Sequence, residues 1–169
     1  MNRDADVGAP EHLDAHHDIA AFDSGTPDLD LWLKRRALTN EALGASRTYV
    51  VCASGRVVGF YALATGAVAH EAVTGRVRRN MPDPIPVMVL ARLAVDRAYQ
   101  GRGLGRALLR DALLRTLQAA EIVGIRAVLV HALSPSAKQF YLQAGFTEAP
   151  VSPMTLLVTL TDVAGRVRS

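Results

Sequence analysis

Apolar positions along the 169-residue chain change their spacing several times, and each change marks an element. After an irregular start, FDSGTPDLDLWLKRRALTNEALG (residues 22–44) sets Ser, Thr and Asp starters ahead of apolar side chains at Leu29, Leu31, Trp32, Leu33, Leu38 and Leu43. That spacing predicts one or two helices closed by Gly44. RTYVVCAS and RVVGFYALATGAV follow, split by Ser54-Gly55, and predict a hairpin of two strands. EAVTGRVRRNMPDPIP predicts a loop, because Pro82, Pro84 and Pro86 oppose both helix and interior strand. VMVLARLAVD is a continuous apolar run broken only by Arg92, as in a central strand buried on both faces.

The later segments follow the same logic. Leu104 to Gln118 has the clearest helical stripe, at Leu104, Ala107/Leu108, Leu114 and Leu117. RAVLVHAL predicts another buried strand. SPSAKQFYLQAG predicts a short helix with a Ser start, Pro in its first turn and Gly145 as its stop. PMTLLVTLTD predicts a final strand. The order α-β-β-β-α-β-α-β implies an α/β (α+β) fold, a mixed sheet with helices on both faces. Neither a repeat nor a linker interrupts residues 1–169, which read as a single domain.

Composition narrows the class. Half of the residues are hydrophobic, enough for one good core. One cysteine, Cys52, excludes an internal disulfide, and no Cys/His spacing suits zinc, so no metal is expected. The N-terminus has no signal-type apolar core and no later run is long enough for a bilayer; a cytoplasmic protein with no membrane attachment is expected. Residues 1–30 hold eight acidic side chains and one basic, while the remainder hold eighteen basic and eight acidic. Seventeen of the nineteen basic residues are arginine, which forks onto phosphate and carboxylate oxygens. A basic body suits a polyanionic partner such as nucleic acid; a solvated arginine-rich surface accounts for the composition equally well.

The chemistry concentrates in LAVDRAYQGRGLGRALLRDALLRT (residues 93–116). Gly101, Gly103 and Gly105 alternate just before a helix, where backbone N–H groups lack intrahelical partners and the helix dipole favours an anion. Glycine also permits positive φ and close approach. A Walker A loop needs Lys-Ser/Thr after its last glycine, and Arg106-Ala107 stands there instead. A dinucleotide fingerprint needs G-x-G-x-x-G early in a βαβ unit, and this G-x-G-x-G comes late, after a hairpin.

Gln100-x-x-Gly103-x-Gly105, preceded by a strand ending Leu93-Ala94-Val95-Asp96, resembles the acetyl-CoA motif of the Gcn5-related N-acetyltransferases (GNAT). SPSAKQFYLQAGF resembles that superfamily's second signature, and the two lie in the right order and at the right separation. The resemblance implies a GNAT fold whose fourth and fifth strands splay around the pantetheine arm, with no metal. It places Leu93, Ala94 and Val95 along the pantetheine and thioester, where an N–H of Ala94 or Val95 polarises the acetyl carbonyl. It gives Gln100, Gly101, Arg102, Gly103, Leu104, Gly105 and Arg106 to the pyrophosphate, with Arg102 alternatively facing solvent. Tyr141 stands at the family's tyrosine position, as proton donor to the leaving CoA thiolate. Its alternative is a packing residue with its hydroxyl capped by a carbonyl. His131 and His70 are candidate bases, although an α-amine with a pKa of about 8 needs none.

Over residues 9 to 163 the likeness narrows to the GNAT toxins of type II toxin–antitoxin systems, the TacT-like branch, with RRNMPDPIP before VLARLAVD as the distinguishing segment. The resemblance implies acetyl transfer from acetyl-CoA to the α-amine of aminoacyl-tRNA, which blocks translation. It further implies a ribbon-helix-helix antitoxin, operator DNA contacted only through that antitoxin, and a homodimer. Arg76, Arg78, Arg79 and Arg92 are the expected tRNA contacts, with Lys34, Arg35 and Arg36 a second basic patch that serves tRNA or the antitoxin. The alternative for Arg92 is an ion pair with Asp96. Two other functions stay open: a GNAT enzyme acting on a small-molecule or protein amine, and a non-enzymatic acyl-CoA or nucleic-acid-binding regulator.

Overall fold

A computed structural model of the chain describes residues 6–167. The predicted helical segment is two helices, α1 (Pro27–Arg35) and α2 (Ala37–Leu43). Asp28 and Asp30 in the first turn of α1, with Lys34 and Arg35 in its last, complement the helix dipole. Gly44 stops α2 in the left-handed region at φ +73°. The strands are β1 (Glu11–His12), β2 (Arg47–Ala53), β3 (Arg56–Val68), β4 (Ile85–Val95), β5 (Ala127–His131), β6 (Thr147–Ala149) and β7 (Ser152–Thr159), and they pair in the order β1-β2-β3-β4-β5-β7-β6. The remaining helices are α3 (Gly75–Arg78), α4 (Leu104–Ala119), α5 (Pro135–Gln143) and α6 (Leu160–Val167). No helix among the described residues is long and apolar enough to cross a membrane.

The chain forms two compact units, and β3, β4 and α4 each pass from one into the other. In the first unit, residues 6–64 join residues 91–112. β1, β2 and β3 pair antiparallel, and the hairpin turns at Ser54-Gly55 as its sequence predicts. One face of this sheet carries Val50, Val57, Phe60 and Ala94 against Leu29 and Leu33 of α1. Phe60 is fully buried, edge-on to Phe22 and stacked on Trp32. Gly59 points to the other face, where a Cβ would stand 3.0 Å from Leu108 of α4 and from Val51. Its missing side chain lets α4 approach the sheet, so helices cover both faces here.

The second unit joins residues 65–90 to residues from 113 onward. β4 pairs parallel with β5 from Val87↔Ala127 to Leu90↔Val130, β5 antiparallel with β7, and β7 antiparallel with β6. Val73 and Val77 pack on Ile85, Val87, Ala127 and Leu129. Arg126 closes α3 by donating to the carbonyls of Val77 (2.9 Å) and Arg76 (2.8 Å). Gly145 ends α5 at φ +101°, and the Arg166 guanidinium of α6 fills the space where a Cβ would lie while donating to the Ala144 carbonyl at 2.8 Å.

Several expectations need correction. The proline loop contains a 3₁₀ turn at His70–Ala72 and the short helix α3, and its end belongs to β4. Pro86 is tolerated near the strand's start, with its carbonyl accepting the Arg126 N–H at 2.9 Å. β4 is not buried on both faces throughout, since Ala91, Arg92, Leu93 and Val95 are only half-buried. The buried stripe of α4 is Leu108, Leu109, Ala112 and Thr116; Ala107 is exposed and Leu104, Leu114 and Leu117 are half-buried. The last strand stops at Thr159, and Leu160, Thr161 and Asp162 open α6. The short strands β1 and β6 carry no period long enough to read.

Phe60 is the residue on which the first core is most dependent. Phe60→Ala is expected to cost about 3–5 kcal/mol in urea unfolding, as for other buried aromatics. A loss under 1 kcal/mol would mean that the cavity collapses.

Candidate active site

Asp96, one residue past β4, is buried and organises the turn that follows. Its Oδ2 accepts from the Asp23 backbone N–H at 3.1 Å and from Arg56 at 3.2 Å, and its Oδ1 accepts from the Ala98 N–H at 3.0 Å. Its own N–H bonds the Val58 carbonyl at 2.8 Å. Arg97 returns the attachment: its N–H donates to the Asp23 carbonyl at 2.8 Å and its Nε to the Asp23 carboxylate at 3.1 Å. Gln100 completes it, with Nε2 donating to the carbonyls of Ser24 and Val95, both at 2.8 Å. The residue 96–100 turn is thereby fastened to residues 23–24. Asp23, whose carboxyl is held below its usual value by the Gly25 N–H and Arg97, and Asp30, which accepts from Ser24, stabilise the other side.

Gln100, expected at the pyrophosphate, has its side-chain amide on backbone carbonyls and fastens the start of the turn. The rest of the turn keeps the predicted character. Gly101 and Gly103 have φ of +78° and +84°, and a Cβ on either would meet nothing within 4 Å. Their requirement is conformational, and the space outside them is open. Gly105 lies inside α4 in a helical conformation, so positive φ is not its reason for being glycine. Leu104, Gly105 and Arg106 occupy the first turn of α4, whose N–H groups lack intrahelical partners. Arg102 and Arg106 are exposed, and Arg102 lies over the Tyr99 ring at 5.6 Å. Upstream, Ala94 is buried while Leu93 and Val95 are half-buried. Arg92 rests on Trp32 at 5.0 Å and donates to the Ala91 carbonyl at 3.0 Å. The alternative ion pair of Arg92 with Asp96 is not formed; Arg56 takes that place.

The second unit holds Tyr141 on α5. Ser134 caps this helix from the Ala137 N–H, Pro135 starts it, and the Tyr141 ring packs edge-on between Phe140 (5.1 Å) and Phe146 (5.5 Å). The ring is buried, yet its hydroxyl has no hydrogen-bond partner among the described residues, so the carbonyl-capped alternative is absent. Burial alone pushes the phenol well above its ordinary value. His131 bonds Thr155 Oγ1 through Nδ1 at 2.8 Å, and His70 points Nε2 at the carbonyls of Met81 and Pro82. The three loop arginines differ. Arg76 forks onto Asp162, Arg78 donates to the Val73 carbonyl, and Arg79 is exposed with no partner among the described residues.

A strand, a pinned turn with two left-handed glycines and an open helix start define an acyl-CoA-type acetyltransferase class, and sequence comparison agrees. The acetyltransferase (GNAT) domain family matches residues 44–148. A tRNA-acetylating toxin of Mycobacterium tuberculosis is 54% identical over 154 residues, covering 91% of this chain and 93% of the relative. AtaT complexed with acetyl-methionyl-tRNAfMet superposes with a TM-score of 0.88 at 28% identity, covering 96% of this chain and 99% of that one. A mutant AtaT toxin bound to acetyl-CoA and the C-terminus of the antitoxin AtaR superposes with a TM-score of 0.84 at 27% identity, covering 97% and 99%. The chain belongs to the GNAT acetyltransferases and, within them, to the family of tRNA-acetylating toxins. The long-range contacts of Asp96 and Asp23 carried no local signal in the sequence, since those partners lie dozens of residues away.

The raised Tyr141 phenol has a consequence for stability. An unfolded tyrosine ionises at about pH 10 while the buried one stays protonated, so the unfolded chain gains as pH climbs past that point. The stability that Tyr141 contributes is complete below about pH 10 and declines above it, by up to about 1.4 kcal/mol per pH unit. Urea unfolding of the wild type and Tyr141→Phe at pH 8 and pH 11 checks this; the difference between them should narrow or reverse at pH 11.

Proposed function

We propose that this chain, acting as a single catalytic domain, transfers acetyl from acetyl-CoA to the α-amine of aminoacyl-tRNA and thereby halts translation in the cytoplasm. The observation that carries the chemistry is the Tyr141 phenol, its ring buried and its hydroxyl unpartnered. Among the described residues the buried side-chain polar atoms without a partner are the Ser46 and Thr48 hydroxyls, so the Tyr141 hydroxyl is open to solvent and a bound ligand can reach it. The choice of amine rests on the 54% identity to the mycobacterial tRNA-acetylating toxin and on the AtaT–tRNA likeness.

Gly101, Gly103 and the first-turn N–H groups of Leu104, Gly105 and Arg106 cradle the pyrophosphate, with Arg102 and Arg106 adding charge. This fit is supported by the open space outside the two left-handed glycines. Leu93, Ala94 and Val95 line the pantetheine, and an N–H of Ala94 or Val95 polarises the acetyl carbonyl. The amine nitrogen then forms its bond to the carbonyl carbon as the carbon–sulfur bond breaks. Tyr141 gives its proton to the departing sulfur, the amine's proton passes to water, and the phenol is reprotonated from solvent. His131 is bonded through Nδ1 and His70 through Nε2, and an α-amine with a pKa of about 8 needs no dedicated base. The antitoxin is of ribbon-helix-helix type and carries the operator contacts, and the enzyme acts as a homodimer.

For tRNA, the arginines now fall into an order. Arg79 has its whole guanidinium available, Arg78 part of it, and Arg76 is occupied by Asp162. Arg92 is fixed over Trp32, while Lys34, Arg35 and Arg36 are exposed and have no side-chain partners among the described residues.

Tyr141→Phe should fold and bind acetyl-CoA normally, with kcat lowered about 10²–10⁴-fold. The direct readout is mass spectrometry of charged tRNA incubated with acetyl-CoA and enzyme; unmodified tRNA alongside acetylation of a free amine would replace the tRNA reading with a general one. Arg79→Glu should raise KM for tRNA on the order of tenfold while leaving acetyl-CoA affinity alone. A fall in acetyl-CoA affinity instead would move Arg79 to the cofactor side.

A further inference from the structure

The acidic N-terminal segment lies along the outer edge of β2. β1 pairs Glu11 with Val50 and His12 with Tyr49, and the N–H groups of Gly8 and Leu13 bond the carbonyls of Cys52 and Thr48, each at 2.9 Å. Strand alternation puts Glu11 on the face of Val50, which Cys52 shares in packing against the first core. The chain then turns, with the His17 N–H on the Asp14 carbonyl, and swings the His17 imidazole back against Glu11. Nε2 stands 2.6 Å from the Glu11 carboxylate, and the His17 side chain is only 3% exposed. A carboxylate oxygen of Glu11, an imidazole nitrogen of His17 and Cys52 Sγ all lie within 4.8 Å of one another.

One thiol, one imidazole and one carboxylate are a mixed soft and borderline donor set. That set suits Zn²⁺ and similar cations, whereas Mg²⁺ and Ca²⁺ prefer oxygen donors throughout. The far side of the ring supplies a second feature. His17 Nδ1 accepts the Asp14 N–H at 3.0 Å and lies 3.5 Å from the Asp14 carboxylate. The Asp14 N–H on Nδ1 holds the ring with its proton on Nε2, so this bond must open before Nε2 can ligate a metal. We propose that Glu11, His17 and Cys52 form a binding site for a Zn²⁺-class cation, and that this site fastens the N-terminal segment to β2. Loading is balanced as follows. The Asp14 N–H leaves Nδ1, the ring's single proton moves from Nε2 to Nδ1, the Cys52 thiol proton goes to solvent, and water completes the coordination. The oxidation states of the metal and the sulfur are unchanged.

Cys52 is the sole cysteine, so any sulfur signal reports this site. The full chain would be titrated with Co²⁺. A near-ultraviolet thiolate-to-cobalt absorption saturating at one equivalent and bleached by Zn²⁺ is expected. One equivalent of Zn²⁺ should slow alkylation of Cys52 at least about tenfold, and a chelator should restore the rate. Glu11→Gln should weaken Co²⁺ affinity about tenfold or more, since it removes a charged ligand. No thiolate absorption with Co²⁺, or alkylation indifferent to Zn²⁺, overturns the proposal and leaves a hydrogen-bonded Glu11–His17 pair. So does His17→Gln binding Co²⁺ as tightly as the wild type. Alkylation is measured on the unaltered chain and needs no variant to fold.

Discussion

The buried carboxylate of Asp96 is the constraint on which the glycine turn depends. A turn with two left-handed glycines has few conformational restrictions of its own, and ordering it costs on the order of 1–2 kcal/mol per residue. Asp96 offsets that cost by collecting the Asp23 and Ala98 N–H groups and the Arg56 guanidinium at one point. Gln100 and Arg97 then lock the far side to Ser24 and Asp23. The residues just before the glycines hold the chain, and the space outside Gly101 and Gly103 is left open. A carboxylate placed this way would be a liability if left unpaired in the interior, so Arg56 is as necessary as Asp96 itself.

Tyr141 shows the opposite arrangement, a buried ring whose hydroxyl stays accessible. Asp96 is saturated with donors, whereas the Tyr141 hydroxyl has none among the described residues. The edge-on rings of Phe140 and Phe146 fix its orientation, and Ser134 and Arg166 secure the two ends of its helix. A phenol whose ionisation is suppressed by burial remains a neutral donor at any physiological pH. A thiol is a stronger acid than a phenol, so in the proposed reaction the proton is shared with the sulfur only as negative charge develops there.

What the sequence made legible follows the range of the forces involved. Helix and strand positions are local, and α1, α2, the β2–β3 hairpin, α4, β5 and α5 all stand close to where periodicity and capping put them. The glycine turn and the tyrosine were readable because their chemistry is written in adjacent residues. Partners distant in the chain were not. Nothing local announces that the Gln100 amide reaches the Ser24 carbonyl, seventy-six residues away, or that Arg56 pairs with Asp96 from forty residues away. The 4-residue helix α3 and the 2-residue strand β1 are too short for any period to register.

Charge asymmetry acquires a more specific meaning from the same contacts. Residues 6–30 of the acidic segment are not a uniform solvated tail. Asp23 and Asp30 tie the start of α1 to the glycine turn, while Glu11 and Asp14 address histidines. On the basic side, Arg56, Arg76, Arg97 and Arg126 are committed to protein oxygens. Counting arginines therefore overstates the surface available to a polyanion. The capacity that remains belongs to side chains such as Arg79 and the Lys34–Arg36 cluster, whose donors are not already spent. An RNA-binding face in this chain is defined less by where its arginines lie than by which of them the fold leaves without a carboxylate.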